Sequence, residues 1–272
     1  MKARKRKTAR KRPLDKYSLY ERAVQSPEIH AKFFVDMFRE LRGTYARRLR
    51  EDFCGTSAIS CEWVKRNRRN EAVGLDLDPE PLEYCSRMHR SKLSSEQKKR
   101  LELKRMDVKS VTRPASDMII ACNFSFCVFH ERKELVAYLR AARKSLSRKG
   151  ILSLELAGGP GMISKMRERK SLPGPQPFIY IWDQKSFDPI TRHGKYAIHF
   201  HLLDGRKLNN AFTYHWRMWT IPEVRDAMAE AGFKRSVVYW ETTHKGEGTG
   251  EHVLMDKADN AWAWVAYIVG MV

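Results

Sequence analysis

The sequence predicts an α/β fold: a seven-stranded, mostly parallel sheet with helices on both faces and a small antiparallel β insertion. Three observations predict it. Strand-length apolar runs alternate with amphipathic helical runs over residues 47–159, the rhythm of parallel strands joined by crossover helices. The rhythm breaks after Gly161, where three β-like runs are joined by turn sequences. It returns at residue 220 with a helix and two more strands.

Taken in order, "YSLYERAVQSP" and "PEIHAKFFVDMFRELR" carry helical apolar spacing, with Pro27 separating them. A strand at 47–53 leads to a helix at 56–66. "EAVGLDLD" is a strand, and Pro79 sits at the first turn of the helix that follows, where a missing N–H costs nothing. The charged stretch "KLSSEQKKR" leads to the strand "LELKRMDV". "SDMIIACNF" is an apolar strand, "ERKELVAYLRAARKSL" an amphipathic helix stopped by Lys149-Gly150, and "ILSLELAGG" the next strand. In the insertion, the loop "PGPQP" precedes "FIYIWDQKSF", "KYAIHFHLL" and "NNAFTYHWRMW"; "DPITRHG" and "DGRK" are the turns, the second with the Asp-Gly hairpin signal. The helix "TIPEVRDAMAEAGF", the strand "KRSVVYWE", a Gly-rich loop "HKGEGTGE" and the strand "AWVAYIV" complete the chain. The expected division is a disordered basic tail, 1–14, and one domain, 15–272, with an N-terminal helical cover at 15–44 and an inserted β cap at 160–219.

Among the 272 residues, 52 Lys and Arg against 32 Asp and Glu give a formal charge of +20. Residues 1–12 hold eight of those cations and no acid. Such a block repels itself and stays disordered; it can contact nucleic acid non-specifically by counterion release, or serve only as a solubilising tail. No apolar segment follows it, so no secretory signal is expected. The longest apolar runs are too short to span a membrane as a helix. Cys54, Cys61, Cys85, Cys122 and Cys127 form no CxxC motif. They read as buried thiols of a reducing cytoplasm, without disulfides or zinc.

Open α/β sheets bind ligands at the C-terminal ends of their strands, near the point where strand order reverses. The first strand ends in "EDFCGTSA", the second in Asp76, the third in Met106-Asp107-Val108 and the fourth in Asn123-Phe124-Ser125-Phe126. A carboxylate after a second strand suits a ribose diol, since it accepts from both hydroxyls. A dinucleotide needs GxGxxG at the first loop; here Thr56-Ser57-Ala58 follows a single Gly55. The acid ahead of the glycine disfavours a diphosphate and favours a cation such as an amino group. The ligand indicated is a nucleoside joined to an amino acid.

At these residues the sequence resembles the class I S-adenosylmethionine-dependent methyltransferases. "EDFCGTS" matches their first motif, with Glu51 on the acid that meets the donor's amino group and Gly55 on the central glycine; Ser57 stands where a glycine is usual. Phe53 and Thr56 belong to the same donor-binding loop. Asp76 matches the ribose-binding acid and Leu77 the residue that packs on adenine. Asp107 and Val108 match the adenine-contacting pair, and Asn123 the residue nearest the transferred methyl. The likeness covers roughly 47–155 and 220–269 and implies a Rossmann-like sheet with S-adenosyl-L-methionine as cofactor. The chain is also similar to a bacterial branch of that family carrying "EDFCGT", "NFS", "DG…AF.Y.WR.W" and "PE" in this order. Family members that methylate base amines or glutamine carry Asn-Pro-Pro-Tyr or Asn-Pro-Pro-Phe after the fourth strand. This chain keeps Asn123 and Phe126 with Phe124-Ser125 between, which favours another acceptor.

The insertion is the expected acceptor-binding region. His199 and His201 share one strand face, with Ile198, Phe200 and Leu202 on the other. Phe212, Tyr214, Trp216 and Met218 share a face, opposite His215, Arg217 and Trp219. His199 and His201 are candidate general bases, and Arg217 is a candidate for the cleft, held by stacking on tryptophan. Two histidines alone do not make a metal site and no third ligand is evident. The expected activity is methyl transfer to an unidentified acceptor, a small molecule before others. The rivals are an RNA-directed methyltransferase anchored by residues 1–12, and a donor-binding module without catalysis.

Overall fold

The computed structural model describes residues 14–244 and 247–272. The expected disordered tail therefore lies, but for Leu14, outside the described residues. Two helices open the described chain, α1 (Lys16–Val24) and α2 (Pro27–Arg42). Asp15 caps α1 by accepting from the N–H groups of Tyr17 and Ser18, and Pro27 sits in the first turn of α2. The main sheet then builds from β1 (Arg48–Asp52), β2 (Glu71–Asp76), β3 (Leu101–Arg105), β4 (Ser116–Ala121) and β5 (Leu146–Gly158). Between them run α3 (Ala58–Arg66), α4 (Pro79–Met88), a short α5 (Ser95–Lys99) and α6 (Arg132–Ser145). A second sheet contains β6 (Met166–Leu172), β7 (Phe178–Phe187), β8 (His193–Leu202) and β9 (Lys207–Arg217). The chain returns to the main sheet through α7 (Ile221–Glu230), β10 (Arg235–His244), β11 (Glu247–Leu254) and β12 (Trp264–Met271).

The main sheet has eight strands in the order β11-β10-β12-β5-β4-β1-β2-β3. β3 through β5 are parallel, and β12, β10 and β11 are antiparallel to their neighbours. The order reverses at β1, between β2 and β4, which places a crevice at the C-terminal ends of those strands. Alternate residues of β4 feed two cores: Ile119 and Ala121 pack with α6 and α7, while Met118 and Ile120 pack with α2 and α3. A continuous apolar run is what a strand buried on both faces requires.

Two expectations about strands need correction. The main sheet has eight strands rather than seven because the stretch read as a Gly-rich loop contains β11. Its glycines serve the strand: a Cβ on Gly248 would lie 2.4 Å from the Glu241 carboxylate, and the Gly250 N–H donates to Glu241 Oε1 at 2.9 Å. The second sheet has four strands rather than three. β6 is an exposed charged edge strand that lacks the apolar alternation by which strands are read.

A third core, of Leu19, Phe178, Ile198, Phe200 and Leu202, joins α1 to the second sheet. The two N-terminal helices thus part company: α1 packs on the cap strands and α2 on the main sheet.

One buried ion pair organises the end of β1. Arg50 and Asp52 have no exposed side-chain surface, with Nε donating to Oδ1 at 2.6 Å. The guanidinium also donates to the carbonyls of Val108 and Ser110 and to the hydroxyls of Thr112 and Ser145. Tyr138 donates to the other Asp52 oxygen at 2.9 Å. Burial pushes the Asp52 carboxyl up, against the pull of Arg50. Asp52 is thus a core anion.

Arg50→Met removes the cation and leaves that anion buried without its partner, so unfolding free energy should fall by about 3–5 kcal/mol. Tyr138→Phe should cost about 1 kcal/mol. Urea unfolding measures both; a wild-type midpoint for Arg50→Met would remove the pair from this role.

Candidate ligand-binding cleft

Two left-handed turns frame the crevice. After β1, Phe53, Gly55 and Ser57 have φ of 52°, 51° and 52°. The turn is held where the Cys54 N–H donates to the Leu75 carbonyl and the Ser57 N–H to the Cys54 carbonyl. Only glycine adopts such φ values without strain, so Ser57 is strained at the position where a glycine is usual in the resembled motif. After β4, Asn123 and Phe124 have φ of 54° and 57°. This second turn is tied down by the Asn123 N–H, which donates to Glu155 Oε2 on β5 at 2.6 Å, and by the Ser125 hydroxyl on the Cys122 carbonyl.

The floor between the turns is acidic. Asp76 receives the Gly55 N–H at 2.8 Å on one oxygen and the Asp78 N–H at 3.0 Å on the other, which fixes its carboxylate beside the loop. Glu51 receives the backbone N–H of Ser60 at 2.9 Å and its hydroxyl at 2.5 Å, both on Oε2. Burial pushes the Glu51 pKa up to about 7 despite those donors. Glu155, buried behind Asn123, is pushed up to about 7 for the same reason. Glu51, Asp52, Asp76 and Asp78 all line the cleft, Asp52 with its carboxylate turned into the core against Arg50, and among the described residues no Lys, Arg or His lines it.

The roof is aromatic. Tyr17 and Tyr20 descend from α1, and Phe212, Tyr214 and Trp216 from one face of β9. Tyr20 lies 4.9 Å from Phe212, and Tyr214 stacks on Trp216 at 4.4 Å. Glu21 of α1 receives the Thr56 hydroxyl at 2.5 Å and contacts His89 Nε2 at 2.6 Å, which binds the roof helix to the first turn. The cleft, partly open to solvent, has a volume of about 280 Å³.

The structure brings Glu51, Phe53, Gly55, Thr56, Asp76 and Asn123 to this cleft, as the sequence pattern expected. Three other expected donor-site residues are not among its walls. Leu77 is 63% exposed. Asp107 is an exposed turn acid that receives the Lys109 N–H at 2.8 Å. Val108 is buried with its carbonyl on Arg50. The candidate catalytic residues of the insertion are also elsewhere. His199 uses both nitrogens, accepting the Asn210 N–H at Nδ1 and meeting Asp183 at Nε2, so it has no free lone pair to act as a base. His201 pairs with Asn209. Arg217 stacks on Trp219 at 3.8 Å but points to the His130 carbonyl and Glu223. Sequence reasoning missed Tyr17 and Tyr20 as wall residues; their spacing of three placed them on one helix face, a signal also shared by ordinary core positions.

No family model matches the sequence, and no curated protein matches it. Solved structures do share its fold. CalS10, a SAM-bound amino pentose methyltransferase from Micromonospora echinaspora, is 19% identical with a TM-score of 0.69, over 97% of this chain and 99% of that one. DesVI from Streptomyces venezuelae is 16% identical with a TM-score of 0.71, over 95% and 99%. The sugar N-methyltransferase KedS8 from Streptoalloteichus is 17% identical with a TM-score of 0.65, over 100% and 98%. The chain therefore shares the Rossmann-like fold of these methyltransferase structures over nearly its whole length.

The Glu51 carboxyl gives the cleft a measurable pH signature. Its pKa is raised on folding, so its favourable contribution is complete below its ordinary value near 4.5 and is lost as pH rises through about 7. Glu51→Gln keeps an acceptor for Ser60 without a charge. The variant should therefore gain stability over wild type between pH 5 and 8, measured by urea unfolding across that range. A pH-independent difference would show that Glu51 ionises normally.

Proposed function

We propose that this protein is an S-adenosylmethionine-dependent methyltransferase acting on a small, amine-bearing acceptor. The observation that carries the reading is the cleft itself: the carboxylates of Glu51, Asp76 and Asp78 and an aromatic roof, without one basic side chain among the described lining residues, in a chain of net charge +20. Such a lining suits cations and repels phosphates. The residues present fit the donor. Glu51 is a buried carboxylate at the cleft floor for an ammonium group, Asp76 a fixed acceptor for a ribose diol, and Gly55 leaves open space beside its backbone. The bound donor supplies an electrophilic methyl group on a sulfonium.

The chain's own contribution is positioning and electrostatics. Strained turns at 53–57 and 123–124 present Gly55 and Asn123 to the same space. The Asn123 side-chain amide makes no hydrogen bond among the described residues, so it is available to orient an acceptor. Methylation of a neutral amine moves positive charge onto nitrogen, and acids and ring faces stabilise that charge as it develops. The fold neighbours, which include an amino pentose methyltransferase and a sugar N-methyltransferase, support this acceptor class. Leu77, Asp107, Val108, His199, His201 and Arg217 lie outside the cleft lining, and the reading assigns them none of these roles. The five unpaired buried thiols fit a reducing cytoplasm, and among the described residues no helix is long and apolar enough to cross a membrane. Residues 1–12 remain available for a non-specific contact with nucleic acid.

Calorimetry should detect binding of S-adenosylmethionine and of its demethylated product. Asp76→Ala removes a charged acceptor, for a loss of about 1.5–3 kcal/mol, roughly ten- to hundredfold in affinity. No binding of either nucleoside at millimolar concentration would end the donor assignment. A labelled-methyl assay on extract divided into RNA, protein and small molecules should place the label in small amines. Label in RNA would favour the RNA-directed enzyme, and donor binding without any transfer would favour the non-catalytic module.

A further inference from the structure

Sequence spacing disclosed no metal site, but folding gathers three histidines from distant positions. His193 begins β8, His215 lies on β9, and His130 lies just before α6. One ring nitrogen from each lies within 4.8 Å of the other two. The ring centroids of His130 lie 4.5 Å from His193 and 4.4 Å from His215.

The surroundings prepare these rings for a cation. His130 Nε2 lies 2.8 Å from the His215 carbonyl. Donating there fixes the proton on Nε2 and leaves Nδ1 with a free lone pair, the arrangement by which metal-binding histidines are oriented. The His130 backbone is fixed as well, because its carbonyl receives Arg217 Nη1 at 3.0 Å. His193 pairs with Arg217 and His215 with Lys195 across the β8–β9 ladder, so both rings project from one face of the sheet. All three rings reach solvent, His215 most fully. Four-coordinate zinc with bonds of about 2.0–2.1 Å needs ligand atoms about 3.4 Å apart. Side-chain rotation of half-exposed residues closes the remaining gap.

We propose that His130, His193 and His215 bind a divalent transition cation of the zinc type, with water or a small anion as fourth ligand. Three imidazoles suit zinc, copper or nickel over magnesium or calcium, which prefer oxygen. The cation would lie behind the cleft wall: Tyr214 and Trp216 enter the cleft from the opposite face of β9. It would staple that strand to the segment entering α6, and its existence does not depend on the methyl-transfer reading.

The test uses tag-free, full-length protein. One equivalent of Zn²⁺ should raise the melting temperature, and Co²⁺ should give the intense visible bands of a four-coordinate nitrogen site. In nitrogen-15 spectra of the wild type, the imidazoles of three of the nine histidines should shift on adding Zn²⁺. His130→Ala and His215→Ala should each weaken Zn²⁺ binding by roughly tenfold or more, with circular dichroism reporting whether the variants fold. The proposal is overturned if wild type shows neither a melting shift nor imidazole shifts. It is also overturned if folded variants bind Zn²⁺ as tightly as wild type, or if imidazoles outside this cluster respond instead.

Discussion

The Arg50 guanidinium is the constraint on which the cleft depends. An arginine with no exposed surface must satisfy its donors locally, because each unmet donor costs desolvation without return. Arg50 does so with Asp52, two carbonyls of the segment between β3 and β4, and two hydroxyls, one of them on α6. A single side chain therefore joins the end of β1, the approach to β4 and the end of α6. Glu51 flanks this pair on the opposite strand face, and the turn of 53–57 follows directly. With β1 anchored two residues earlier, strain at Phe53, Gly55 and Ser57 is held in the turn and does not relax into the strand.

That anchoring explains how a strongly basic chain sustains an acidic cavity. The Asp52 charge is matched within the core by Arg50. Asp76 and Asp78 are partly matched by backbone N–H groups, since each accepts at least one. Glu51 accepts from the backbone and the hydroxyl of Ser60, and burial still outweighs those donors and raises its pKa. The cleft is thus electrostatically incomplete at one defined carboxylate; on the proposed donor assignment, an ammonium group would restore the balance there. Raised acids in clefts mark functional sites when a specific partner is missing from the protein itself. Glu155 shares the raised pKa but faces the backbone of Asn123, so its work is to hold the second turn.

Much of this was legible in the sequence, and the limits of legibility have physical causes. The alternating apolar runs fixed the parallel sheet, because strands buried on both faces admit little else. Glu51, Gly55 and Asp76 were legible because strand ends are defined by the same runs. Asp107 was not, since an acid two residues before a turn N–H serves the turn as readily as a ligand, and here Lys109 takes it. His199 and His201 were correctly placed on a common face, but period-two alternation does not say which face meets the cleft. It is the Phe212, Tyr214 and Trp216 face of β9 that does. β6 and β11 were hidden because charge and glycine carry no alternation, and the histidine cluster because its members are 63 and 22 positions apart.

The helix α1 makes the two halves of the cleft interdependent. Its Glu21 carboxylate receives Thr56 of the first turn and meets His89 after α4. Its Tyr17 and Tyr20 rest on Phe212 of the second sheet, and Arg22 donates to the carbonyls of Pro173 and Gln176. The helix has nine residues, too short to hold itself together without these contacts. Its position is therefore set jointly by the first turn and by the cap strands. A ligand that orders the turn of 53–57 also fixes Thr56, hence Glu21, hence the aromatic ceiling over Asn123. The floor and the roof of the cleft are joined through one short helix, so on the proposed reading the order of the acceptor side follows the order of the donor side.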